Sequence, residues 1–268
     1  METIFENAAE GNPIIDPESF CVLGVKVHAV QISDVIVRMQ QWITRRAKCQ
    51  FIAVTGMHGV MEARRDTEFM KILNSANLVV PDGMPLVWLG RCCGYRLRRR
   101  VYGPELLETF CANTARSDYR HYFYGGAPGV TEELTRKLIV RFPGLKIVGS
   151  HCPPFRALTD QEQRDIVRCI EDSRPDIVWV GLSTPKQEKW MYDFRSRLSV
   201  PILVGVGAAF DFHAGRVMQA PRWMREHGLE WLFRLVREPR RLWRRYLING
   251  PKFVWLVVLE SLRRRQFP

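Results

Sequence analysis

Asp82 follows an apolar run, Leu78-Val79-Val80-Pro81, and is itself followed by Gly83, Met84 and Pro85. A carboxylate at the carboxyl end of a buried strand, with a glycine beside it, leaves room for a substrate. It can take a proton from a hydroxyl as a general base. The same side chain can instead cap the helix that begins near Pro85, and the residues leave both readings open. A second constellation is Gly181-Leu182-Ser183-Thr184-Pro185-Lys186-Gln187-Glu188. Thr184 and Gln187 fit a capping box with Pro185 at the first helical position. That start also aims free backbone N–H groups and a positive helix end at the sheet rim, beside Lys186, which suits a phosphate.

Three weaker segments join them. Tyr124-Gly125-Gly126-Ala127-Pro128-Gly129 is a glycine-rich turn that lets backbone approach a ligand, or simply turns. Arg96-Leu97-Arg98-Arg99-Arg100 precedes a helix and can offer a guanidinium to a diphosphate, or be a solvated face. Gly205-Val206-Gly207 resembles a dinucleotide fingerprint but lacks its third glycine and the acid about 20 positions on, which argues against a nicotinamide or flavin site. Asp211, a few residues later, can bond a ribose or sugar hydroxyl. No HExxH, Walker loop, GxSxG or Asp-x-Asp occurs, and His58, His213 and His227 read as structural or surface residues.

The elements that must carry these residues alternate. Strands are expected at Cys21–Val27, Phe51–Thr55, Leu78–Val80, His121–Tyr124, Ile147–Ser150, Asp176–Leu182 and Ile202–Val206. Helical patterns fall at Ser33–Arg46, Thr67–Ser75, Pro104–Arg116, Val130–Phe142 and Thr159–Ser173. Runs such as Ile177-Val178-Trp179-Val180 are apolar without alternation, so the strands are buried on both faces. The class is α/β, with a mostly parallel sheet flanked by helices. After Asp211 the strand signal stops, and Pro221, Gly228, Pro239 and Gly250-Pro251 divide the rest of the chain into helical pieces of about ten residues. The division read is an N-terminal extension over 1–19, a core over 20–213 and a helical appendage over 214–268.

That appendage carries 13 Lys and Arg against 4 Asp and Glu from Arg216 onward, most of the chain's net charge of +12. Trp223, Trp231, Phe233, Trp243, Phe253 and Trp255 interleave with Arg234, Arg237, Arg240, Arg241, Arg244 and Arg245. Such a surface suits an anionic membrane, a lipid-linked pyrophosphate or a nucleic acid. The plainer reading is of helix cores with solvated arginines. No apolar run approaches the 18 to 20 or so residues of a membrane span, the nearest being Phe253–Leu259. The acidic N-terminus lacks the marks of a signal peptide. The seven scattered cysteines form no CxxC, as in a reduced, cytoplasmic protein.

Thr55, Pro81-Asp82-Gly83, Arg100-Val101-x-Gly103, Gly125-Gly126-x-Pro128-Gly129 and Gly181-x-x-x-Pro185-Lys186-Gln187-Glu188 continue into Phe210-Asp211-x-x-Ala214-Gly215. Ala220-Pro221-x-Trp223, Gly228-Leu229-Glu230-Trp231-x-x-Arg234-Leu235 and Glu238-Pro239-x-Arg241 complete the series. In order and spacing, over about residues 20–250, this resembles the WecG/TagA/CpsF glycosyltransferases. The resemblance implies a Rossmann-like fold and transfer from a UDP-sugar to a polyprenyl-diphosphate-linked saccharide at the cytoplasmic membrane face, with no metal and no cofactor. It implies Asp82 as catalytic base, Thr55 in the acceptor or sugar pocket and Gln187 beside the reacting centre. Arg100 would meet a diphosphate and Asp211 the nucleotide. Gly125, Gly126, Pro185, Lys186, Glu188, Arg234 and Arg241 fall in the remaining substrate-binding positions. Many members have Thr-x-Asn where this chain has Thr55-Gly56-Met57, so an amide contact to the sugar is missing. Beside these residues nucleic acid becomes the least favoured partner, and self-association is left open.

Overall fold

The computed structural model describes residues 16–266. The first part of the expected N-terminal extension, residues 1–15, lies outside the described residues, as do residues 267 and 268. In chain order the elements begin with β1 (Ser19–Val22), β2 (Val25–His28), α1 (Ile32–Thr44), β3 (Gln50–Thr55), α2 (Met57–Arg65), α3 (Thr67–Asn74), β4 (Leu78–Pro81), α4 (Met84–Cys92) and α5 (Gly103–Thr114). There follow β5 (Arg120–Gly125), α6 (Val130–Arg141), β6 (Lys146–His151), α7 (Asp160–Ser173), β7 (Ile177–Gly181), α8 (Lys186–Phe194) and β8 (Ile202–Gly205). The helical end comprises α9 (Ala209–His213), α10 (Arg222–Glu226), α11 (Glu230–Arg237), α12 (Pro239–Trp243), a π turn over Arg244–Ile248 and α13 (Asn249–Gln266).

Six strands form one parallel sheet in the order β4-β3-β8-β7-β5-β6. Successive residues of each inner strand enter opposite cores. Phe51 and Ala53 of β3 pack with α2, α3 and α8, whereas Ile52 and Val54 pack with α1, α5 and α9. Both faces are therefore apolar, as the unalternating strand sequences require, and the α/β class holds.

Two local expectations change. Cys21–Val27 is not one strand but the antiparallel hairpin β1–β2, outside the six-stranded sheet. Leu23 and Gly24 turn it with φ of 49° and 90°, the positive values that a two-residue hairpin turn needs. Leu23, apolar and buried, hides the turn from the sequence. At the other end, Gly250-Pro251 does not break the helix: α13 runs through it for 18 residues. Pro251 sits in the helix's first turn, where a missing N–H is tolerated. It has none to offer the preceding turn, and that turn is wound as π.

The parallel pairing also fixes how closely the strand ends approach. A Cβ on Gly56, the residue after β3, would sit 2.3 Å from the backbone oxygen of Asp82 after β4. Gly56→Ala should therefore push the two strand ends apart and destabilise the fold by roughly 1–3 kcal/mol. Urea unfolding that matches the wild type would show that this contact relaxes without cost.

Candidate active site

Four strand ends meet at one rim. The segments after β3, β4, β7 and β8 line a cavity of about 710 Å³, closed from above by Glu230, Trp231 and Arg234 of α11 and by Arg245 and Tyr246 of the π turn. One wall is apolar and comes from α4 (Trp88, Leu89) and α13 (Val254, Val257, Val258). The Trp231 and Tyr246 rings, 5.9 Å apart, hold α11 against the π turn.

Asp82 stands at the end of β4, its N–H donating to the Thr55 oxygen at 2.8 Å. It does not cap α4: the N-cap is Gly83, with φ of 131°, and no side chain bonds the helix start. The capping alternative is thereby removed and the carboxylate is left for other use. Asp82 Oδ1 is shielded from solvent and lacks a hydrogen-bond partner among the described residues. The side chain keeps 30% exposure, and Arg100 Nη1 lies 3.8 Å from Oδ1. Burial raises the carboxyl to about 6; Arg100, Arg234 and Arg245 pull it down, and Glu230 pushes it up.

Gln187 does not complete a capping box. Pro185 is the N-cap of α8 and makes no side-chain bond. Thr184 Oγ1 donates to Glu188 Oε1 at 2.8 Å and Gln187 Nε2 to the same oxygen at 3.0 Å. Gln187 Oε1 accepts from the Gly207 N–H at 2.9 Å. The amide thus joins the loops after β7 and β8. Glu188 is fully buried, and burial raises its carboxyl against the bonds from Thr184 and Gln187.

Arg100 lies between two carboxylates. Its Nη2 bonds Glu230, which also accepts the Tyr102 hydroxyl at 3.0 Å, and its guanidinium stands 4.0 Å over the Tyr102 ring. Burial works against its charge, yet Asp82 and Glu230 together hold its pKa above the ordinary value. Arg234 and Arg245 differ: the Nε of each is buried without a hydrogen-bond partner among the described residues. Both line the cavity, with no ion pair to a carboxylate within 4 Å among the described residues.

Of the residues that the sequence points to, Asp82, Gln187, Arg100 and Arg234 line this one cavity. Thr55 lies just beneath it, 1% exposed, its Oγ1 unpartnered among the described residues. Glu188 is one layer below, under Thr184 and Gln187. Gly125, Gly126, Pro185, Lys186, Asp211 and Arg241 are not part of the lining. A Cβ on Gly125 would meet the Gly181 backbone at 2.7 Å, and Gly126 donates to the Gly181 oxygen at 3.0 Å, so these glycines fit two strand ends together. Asp211 is raised by burial against Arg241 and Arg216, and Arg241 pairs with Glu238 at 2.7 Å.

Glu230, Tyr102 and His58 join the site without a role assigned from the sequence, and Arg245 joins it from among the tail arginines that the sequence marks for an anionic partner. Glu230 falls within the Gly228-Leu229-Glu230-Trp231 piece of the resemblance, with no role attached to it, and is one of four acids in a strongly basic segment. His58, read from the sequence as structural or surface, lies in the first turn of α2, lines the cavity and has a buried Nδ1 with no hydrogen-bond partner among the described residues, 3.8 Å from Glu62 Oε1. Burial, then Arg245 and Arg65, lower it to about 4, so its imidazole is neutral at pH 7.

An open parallel α/β sheet with a carboxylate, an amide and arginines gathered over the carboxyl ends of its strands has the geometry of an α/β enzyme's ligand site. Residues 20–267 match the Glycosyl transferase WecG/TagA/CpsF family. The chain belongs to that family and is a glycosyltransferase. It is 31% identical over 211 residues, 79% of each chain, to an N-acetylglucosaminyldiphosphoundecaprenol N-acetyl-beta-D-mannosaminyltransferase of Bacillus spizizenii. A Bacillus subtilis protein of the same name is 29% identical over 76% of this chain and 77% of its own. One from Staphylococcus aureus is 24% identical over 88% and 91%.

The Asp82 environment also bears on stability. Its carboxyl binds a proton more tightly in the folded chain, at about 6, than at its ordinary 3.8. That preference stabilises the fold fully below about pH 4 and is lost as pH rises through 6. Asp82→Asn, which cannot ionise, should therefore be more stable than wild type by roughly 2 kcal/mol at pH 7.5. The gain should vanish toward pH 4. A difference that does not vary with pH in urea melts would show that ionisation of Asp82 is not its source.

Proposed function

We propose that the enzyme moves N-acetylmannosamine or a related hexose from a UDP-sugar to a polyprenyl-diphosphate-linked saccharide, in one inverting step that needs no metal. The observation that carries this reading is the Asp82 carboxylate, whose Oδ1 has no hydrogen-bond partner among the described residues, at a cavity with Arg234 and Arg245 at one side and an apolar wall at the other. The names of the relatives describe a mannosaminyl donor group and a lipid-diphosphate acceptor of matching chemistry.

In this mechanism the acceptor hydroxyl attacks the anomeric carbon and gives its proton to Asp82. The bond from that carbon to the UDP oxygen breaks, and its electron pair leaves with UDP. Arg234 and Arg245 meet the departing diphosphate's charge. Arg100, expected from the sequence as the diphosphate ligand, is already matched by Glu230 and Asp82, so its part is with the base. Gln187 holds the loops after β7 and β8 at the distance the donor needs, with Thr55 beneath. Gly125, Gly126, Pro185, Lys186, Glu188, Asp211 and Arg241 act behind or beyond this centre. Met57 offers no amide to the sugar, which leaves room for a donor other than the relatives' own.

Residues 20–213 would form the catalytic core and 214–268 the membrane-facing part, on the inner face of a bacterial cell membrane. Among the described residues no helix is long and apolar enough to cross a membrane. Exposed Trp223 and Trp255, at 58% and 62%, suit the interface, whereas Phe253 is buried in the core.

Asp82→Asn should retain UDP binding and lose transfer by at least about 100-fold; near-wild-type transfer to a synthetic polyprenyl-diphosphate sugar would remove Asp82 as the base. Because Asp82 accepts a proton only when ionised, wild-type kcat/KM should fall about tenfold per unit below pH 6. For the membrane, Trp223→Ser with Trp255→Ser should reduce flotation with anionic liposomes several-fold while UDP binding persists. Undiminished flotation would move the membrane surface elsewhere.

A further inference from the structure

Arg100 has two carboxylates within reach and is hydrogen bonded to only one of them. Its Nη2 bonds Glu230, while its Nη1 stops 3.8 Å short of Asp82 Oδ1. Glu230 is 6% exposed and is itself fixed by the Tyr102 hydroxyl at 3.0 Å, whose ring lies under the guanidinium at 4.0 Å. The guanidinium is thus held on one side by a bond and from below by a ring, and the open side faces Asp82.

We propose that Glu230 is a positioning residue that holds the Arg100 guanidinium off Asp82, so that Asp82 keeps a free oxygen with which to take the acceptor's proton. The proposal rests on the reading of Asp82 as the base. An arginine beside a carboxylate in a dry pocket otherwise closes into a two-point hydrogen-bonded pair. That closure would occupy the oxygen lone pairs and lower their proton affinity. Glu230 opposes it twice, by competing for the guanidinium and by adding a negative charge that favours the protonated carboxyl.

The other charged or titratable groups around Asp82 do not mask the effect. Arg234 of α11 and Arg245 of the π turn favour its ionised form. His58 of α2 is held near 4 and Tyr102 is pushed above the usual phenol range, so neither changes charge between pH 5 and 8. Glu230 lies 130 residues beyond Arg100 in the sequence. The strength of a base at the end of β4 is therefore set from α11.

The test is Glu230→Gln in the full chain, which keeps the shape and an acceptor for Tyr102 but removes the charge. Two readouts are taken. One is the pH dependence of kcat/KM, and the other is the titration of the Asp82 carboxyl in ¹³C-aspartate-labelled enzyme, its resonance assigned by loss in Asp82→Asn. Both midpoints should move to lower pH by at least about 0.5 unit, and the plateau rate should drop roughly threefold or more with the weaker base. A lower rate at every pH with unmoved midpoints would mean that Glu230 is merely structural and overturns the proposal. A moved carboxyl titration with an unmoved kinetic midpoint supports the hold of Glu230 on Asp82 and sinks the role of Asp82 as base. If Glu230→Gln does not fold, Tyr102→Phe loosens Glu230 and should shift both midpoints the same way by a smaller amount; no shift overturns the proposal.

Discussion

Burial of the sheet on both faces is the constraint on which the site depends. With apolar residues alternating into two cores, the inner strands have no exposed face on which to display chemistry. Polar groups can open to a ligand only where strands end. Because β4, β3, β8 and β7 are neighbours and parallel, their carboxyl ends open on one rim, and Thr55, Asp82, Gln187 and Gly207 meet there from four separate segments. Gly56 lets the ends of β3 and β4 approach closely, and Gly181 leaves room for the Phe210 ring, since a Cβ at either position would strike that neighbour.

Beneath and above the cavity the polar groups are organised differently. The floor is a buried set of hydrogen bonds among Thr184, Gln187, Glu188 and the Gly207 N–H, with Glu188 biased toward its neutral form. Glu188 Oε1 takes both side-chain bonds, and its Oε2 is buried without a hydrogen-bond partner among the described residues. The roof carries net positive charge in arginines whose partners are incomplete. The buried layer ties the start of α8 to the loop after β8, and the arginines line the cavity from α11 and the π turn.

Much of this is legible in the sequence, and the rest is hidden for identifiable reasons. Apolar runs ending in Asp82 or Gly181 announce strand ends, because burial on both faces leaves a pattern within a few residues. Thr184 and Gln187 have the spacing of a capping box, but Glu188 competes for both side chains and wins. Glu230 escapes notice because its partners, Arg100 and Tyr102, are distant in sequence and nothing local marks the pairing. Leu23 passes for a strand residue because its side chain is as apolar as its neighbours while only its backbone turns.

The basic tail is continuous with the body that precedes it. Phe253 belongs to the same apolar cluster as Phe20 and Leu86, and Leu242 is equally hidden. Glu260 accepts the Leu23 N–H at 3.1 Å, and Asn249 accepts from Arg65 at 2.6 Å. The last helix thus fastens the first hairpin and the helix after β3 at once. A chain shortened at residue 213 would bare part of its own interior, so its inactivity would report on the fold as well as on any role of the tail's exposed face.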